Sequence, residues 1–148
     1  MTINECYNNI TWCKNEILRY EEKNTGLSSD ITNLEGLRTQ FTTMRTKIET
    51  AAVAGVGAIN NMCDNYYVKS NKSSSLFNNA NNIYMGSEYN TALQGIDDAI
   101  AKINNKITSL QGKINKNSGE IEKLEGSIQW YYGEISRLSS MEGEGENG

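Results

Sequence analysis

Between Leu93 and Leu138 the apolar residues recur in a three-four alternation that repeats every seven positions. One row runs Leu93, Ile100, Ile107, Ile114, Ile121, Ile128, Ile135. The other runs Ile96, Ile103, Leu110, Asn117, Leu124, Tyr131, Leu138, and only Asn117 interrupts it. A heptad seam sustained this long is a coiled-coil pattern. The remaining faces carry mostly Asn, Lys, Glu, Ser and Gly, so the helix has a narrow apolar stripe that a second helix must cover in water. Running from Ser87 to Ser139, it would be roughly 80 Å long at about 1.5 Å per residue.

The covering stripe is in the same chain. Ile3, Ile10 and Ile17 form one row, and Cys6, Cys13, Tyr20 and Leu27 the other, continuing through Ile31 and Leu34. Beyond Leu34 the apolar residues Leu37, Phe41, Met44, Ile48 and Ala51 read as a phase slip of one residue, which a short break or local overwinding would produce. Gly26 to Asp30 is the place for it. Ser28, Ser29 and Asp30 are good N-cap residues for a restarted helix, yet the seam survives across them, so a break and a continuous helix are both compatible with the sequence. Ala51, Ala54, Gly55, Gly57 and Ala58 allow close helix approach, and the helix is expected to persist to residue 66.

Lys69 to Asn82 has no apolar period and is dense in Ser and Asn, which marks a connector with room for one short helical turn. A mid-chain connector between two seams gives an all-α fold, an antiparallel coiled-coil hairpin. The expected layout is one domain over 1–140, with helices over 2–66 and 86–139 and a connector over 67–85. An acidic, Gly-rich tail over 141–148 reads as disordered.

Composition then restricts function. No His and no Pro occur, which removes the commonest general base and metal ligand. The acidic groups Asp97-Asp98 and Glu120, Glu122, Glu125 fall along a single helix without a phosphate-binding loop, so they read as solvated surface charge. A non-enzymatic protein without a cofactor is expected. The formal charge of −4 is mostly the tail, where Glu142, Glu144 and Glu146 have no Lys or Arg among them. Lys and Arg are spaced singly, so the basic stripe that nucleic acid requires is missing. Cys6, Cys13 and Cys63 lack CxxC spacing and read as small buried apolar residues. Met1–Glu5 has neither the basic nor the apolar region of a signal peptide, and the longest apolar stretch, Ala51–Ile59, is too short to span a bilayer. Synthesis in the cytoplasm is expected.

Three features remain as candidate binding determinants. Asn117 inside an Ile and Leu seam can fix register and partner number. Trp12 and Trp130 precede the seam residues Cys13 and Tyr131, so both should be partly exposed; folding near residue 75 brings them, with Tyr132, to one open end as a shared aromatic patch. Exposed Trp and Tyr are the commonest anchors of protein interfaces. The third is Tyr84-Met85-Gly86, just before the second seam helix and followed by Leu93.

A helical hairpin with an aromatic-X-Gly turn and no signal peptide resembles the Trp-X-Gly (WXG) superfamily of type VII secretion. Within it, the chain over residues 1 to 139 looks most like the small helical proteins that accompany LXG polymorphic toxins of Gram-positive bacteria. In that resemblance Tyr84 takes the Trp place, Gly86 the Gly place and Leu93 the downstream apolar place. The family's C-terminal secretion signal pairs Tyr with an acidic residue four positions on. Here Tyr131 meets Ile135 and Tyr132 meets Ser136 instead. The resemblance implies an adaptor or targeting chaperone that binds the helical N-terminal region of an LXG toxin, in the cytoplasm or exported with it. The seams alone also permit a self-assembling structural coiled coil. A membrane-active reading is the weakest of the three, because Asn60 and Asn61 close the apolar run.

Overall fold

Thr2 and Glu5 start the first helix as a reciprocal cap. The Thr2 backbone N–H donates to Glu5 Oε2 at 2.7 Å, and the Glu5 N–H donates to Thr2 Oγ1 at 3.2 Å. The first of these bonds is the main reason the Glu5 carboxyl is held below its ordinary pKa. The structure, a computed structural model, describes residues 1–65 and 70–145. It is an all-α helical hairpin built from α1 (Ile3–Asn65), α2 (Ser70–Met85) and α3 (Ser87–Gly145).

A chain so rich in Thr and Ser stays helical because the hydroxyls are satisfied locally. Thr11, Thr25, Thr32, Thr39, Thr42 and Thr46 each donate to the carbonyl four residues back, at 2.9 to 3.2 Å. Thr32 bonds to the carbonyl of Ser28, so the segment Gly26–Asp30 is an uninterrupted part of α1 and not a break. Leu27 and Ile31 stay on the buried side there, and this side-chain burial outweighs the capping preference of Ser28, Ser29 and Asp30.

The described residues divide into two units. The first comprises Met1–Thr32 with Thr108–Gly148. Its α1 segment buries Cys6, Ile10 and Cys13, and its α3 segment buries Leu110 and Ile128. Ile17, Leu124, Tyr131 and Ile135 pack around Ile10, Cys13 and Ile128. The expected seam residues Ile114, Asn117 and Ile121 are half-buried, as two helices alone leave the edges of a seam open to water. Cys6 and Cys13 are free thiols occupying seam positions; the Cys63 side chain lies outside the described residues.

The second unit comprises Asn33–Ile107. Here Leu93, Ile96 and Ile103 of α3 are buried, with Ile100 and Ile107 half-buried beside them. The phase slip expected in α1 does not occur. The covered positions continue at heptad spacing through Leu34, Arg38, Phe41, Arg45, Ile48, Ala52, Gly55 and Ile59, while Leu37, Met44 and Ala51 are exposed. Two arginines hold seam places because their alkyl stems lie along the seam and their charged ends reach partners at its edge.

The connector also differs from expectation. Most of it is α2, in which Ala80 is buried and Phe77 half-buried three residues earlier. That one covered turn is enough to override the turn propensity of the surrounding Ser and Asn. Residue 66 of the expected first helix and residues 67–69 of the expected connector lie outside the described residues. At the other end α3 extends to Gly145, past the residue-139 boundary and into the segment expected to be disordered, of which 146–148 are outside the described residues.

Candidate interaction surfaces

Gly86 separates α2 from α3 and makes the Tyr84-Met85-Gly86 turn. Its carbonyl accepts the Asn90 N–H at 3.1 Å, which opens α3 directly at Ser87. A Cβ at position 86 would sit well inside 3.0 Å of the Asn82 backbone carbonyl oxygen, so the turn accepts glycine alone without moving. Tyr84 lies against a second glycine: a Cβ on Gly55 of α1 would come within 2.7 Å of the Tyr84 ring. The aromatic residue of the turn thus covers the backbone of α1, and Leu93, the third residue of the motif, is buried in the same unit.

Polar residues set the register of each unit. In the first, Asn117 Nδ2 donates to Asn24 Oδ1 at 2.8 Å, both residues standing at seam positions on opposite helices. Asn117 is therefore half of a pair, a partner that the apolar rows did not reveal because Asn24 is itself polar. In the second, Arg45 forks onto Asp97, Nε to Oδ1 at 2.8 Å and Nη2 to Oδ2 at 3.4 Å, and also bonds Glu49. The bond to Asp97 is the main cause of the raised pKa of Arg45. Arg38 Nη1 donates to Asn104 Oδ1 at 2.9 Å. Asp97 is thus an inter-helix anchor and not merely solvated charge, whereas Asp98 takes a local bond from Gln94.

Replacing both Asn24 and Asn117 with Leu removes a half-buried polar layer and completes the seam. The double variant is expected to melt higher, on the order of 5 °C, and to lose its single register, populating additional oligomers. Thermal melting with sedimentation velocity checks this; a lower melting temperature with a single species would count against the register role.

The aromatic residues divide by face. Trp12 and Trp130 are 59% and 57% exposed, and Tyr132 is also exposed. Tyr131 is half-buried in the seam and meets the Trp130 ring edge-on at 5.0 Å. At about 100° per residue, Tyr132 is roughly 200° around α3 from Trp130. It therefore lies on the opposite flank of α3 and does not share a face with Trp130, as the expected three-residue patch requires.

No family profile matches the chain, nor does any curated protein or any solved structure.

Leu37, Met44 and Ala51 form a row at seven-residue spacing beside the α1 seam, exposed along its length. Met44 and Ala51, with Thr39, Gln40, Thr43, Lys47 and Ile48, line a shallow apolar groove. Leu37, Met44 and Ala51 are expected in the seam and are exposed instead, while Phe41 and Ile48 of the same row are covered, so α1 carries more heptad-spaced apolar residues in this segment than one partner helix covers. Among the described residues no helix is long and apolar enough to cross a membrane, and no group of His, Cys, Asp and Glu is placed to hold a metal ion.

Proposed function

We propose that the chain is a non-enzymatic adaptor that binds the helical N-terminal region of an LXG-type toxin and delivers it to type VII secretion. The observation that carries this reading is the exposed row Leu37, Met44, Ala51. Apolar residues seven apart on a helix match another helix lying alongside, because that spacing returns to the same face every two turns. A helical partner is the chemistry the groove fits. The toxin class comes from the resemblance carried by Tyr84, Gly86 and Leu93, and the steric need for glycine at 86 with the seating of Tyr84 on Gly55 gives that turn a structural purpose.

Binding would cover the row and extend the two-helix seam to a third helix, with affinity from apolar burial. The test is affinity purification of the tagged chain from its native cell, with mass spectrometry of the eluate. The expected result is near-stoichiometric recovery of one large protein with a helical N-terminal region ahead of a toxin domain. Met44→Asp should lower that recovery at least tenfold, and Tyr84→Ala should lower it with helicity mostly intact. Recovery unaffected by both substitutions, or of no such protein, would overturn the proposal.

A further inference from the structure

The first unit contains a repeated segment that the apolar rows alone do not show. Ile-x-Trp-x-x-x-Glu-Ile-x-Arg occurs at Ile10–Arg19 and again at Ile128–Arg137. The two copies fold alike. Each isoleucine row lies in the same seam cluster, and each Glu-Arg pair closes the same ion pair: Arg19 to Glu16 at 2.5 Å and Arg137 to Glu134 at 2.6 Å. The bond from Arg137 is the main cause of the lowered pKa of Glu134.

The antiparallel register brings the copies side by side. Asn24 faces Asn117; Trp12 lies twelve residues before the first and Trp130 thirteen after the second, so both reach the same level. Each Trp stands two residues after a seam isoleucine, so each is turned from the seam by the same angle. A local two-fold axis perpendicular to the plane of the two helices therefore relates the copies. It puts both tryptophans on one flank.

We propose that this flank is a self-association surface on which a second copy of the chain docks. A surface with its own two-fold axis presents two equal half-sites, and an identical flank, carrying the same axis, can meet both alike. The contact would be isologous, the same patch serving on both copies. Charge agrees: each half holds one acidic and one basic residue of the repeat, so two flanks meet without net repulsion. Two large indoles left more than half exposed supply the anchors. The inference does not depend on the toxin proposal, and its test contains no other protein.

The chain has two Trp residues and both are in this surface, so tryptophan emission, excited at wavelengths that the tyrosines do not absorb, reports on it alone. Purified full-length chain should change from monomer to dimer in sedimentation equilibrium between about 1 μM and 1 mM, a range suited to a small interface, with the emission maximum moving to shorter wavelength in parallel. Trp12→Ala and Trp130→Ala should each weaken the dimer on the order of tenfold or more, by similar factors, with unchanged circular dichroism. A chain that remains monomeric with the emission of water-exposed indole would overturn the proposal. So would a dimer that survives the double Trp variant, or one that depends on a single Trp.

Discussion

Leu110→Asp is expected to abolish cooperative thermal unfolding. Leu110 is 4% exposed and stands at a seam position of α3, so the substitution loses the burial of a leucine, about 1.5–3 kcal/mol, and puts a carboxylate where water reaches it poorly. The penalty for such a charge is several kcal/mol even after relaxation. Together these approach the whole stability of a typical domain, about 5–15 kcal/mol, and a two-helix seam has few neighbouring layers to absorb the change. Ile107→Asp, at the half-buried seam position three residues earlier, should act in the same direction with smaller effect, because the carboxylate can reach the open edge. Leu18→Asp is the matched control: Leu18 is 57% exposed, and the change should stay within about 0.5 kcal/mol. Melting followed by circular dichroism separates the three. If Leu110→Asp melts as sharply as wild type, the seam does not hold the hairpin together.

The same contrast shows what was legible in the sequence. The α3 rows were readable position by position, since a mostly Ile and Leu heptad with polar flanks has one interpretation. In α1 the apolar count misled. Arg38 and Arg45 occupy the seam while Leu37 and Met44 lie beside them, and a reading that scores only side-chain apolarity moves the seam toward the leucine and the methionine. The information needed was on the other helix, in Asp97 and Asn104, the groups that meet those arginines. Asn24 was hidden for the same reason, its partner Asn117 having been noticed alone. Helix α2 is held by contacts rather than propensity: a run of Ser and Asn becomes helical where Phe77 and Ala80 find cover. The duplicated Ile-x-Trp segment could have been found by comparing the two ends of the chain residue by residue. Period-seven counting keeps the isoleucines and discards the Trp, Glu and Arg that make the copies recognisable.

The turn between α2 and α3 is where a single methyl group should have its largest effect. Gly86→Ala places a Cβ against the Asn82 carbonyl oxygen, which belongs to the backbone and cannot rotate away as a side chain can. Relief requires moving the end of α2 or the start of α3, and the first α3 hydrogen bond, Asn90 N–H to Gly86 carbonyl, is tied to the same residue. A backbone shift of this kind costs about 1–3 kcal/mol by analogy with strained backbone positions. Gly55→Ala tests the other side of the motif. Its Cβ would meet the Tyr84 ring, the mobile end of a side chain, so the ring can swing outward at lower cost. Combining Gly55→Ala with Tyr84→Ala should recover stability, since the clash then has no second partner. In Gly86→Ala no side-chain truncation can do the same. The expected order of melting temperatures is wild type, then Gly55→Ala, then Gly86→Ala. Partner recovery should fall in Gly86→Ala even at temperatures where the helices stay folded, because Tyr84 is carried on the segment that must move. If Gly86→Ala matches wild type in both measurements, glycine at this position is incidental, and the Tyr84-Met85-Gly86 turn loses the structural basis for its role.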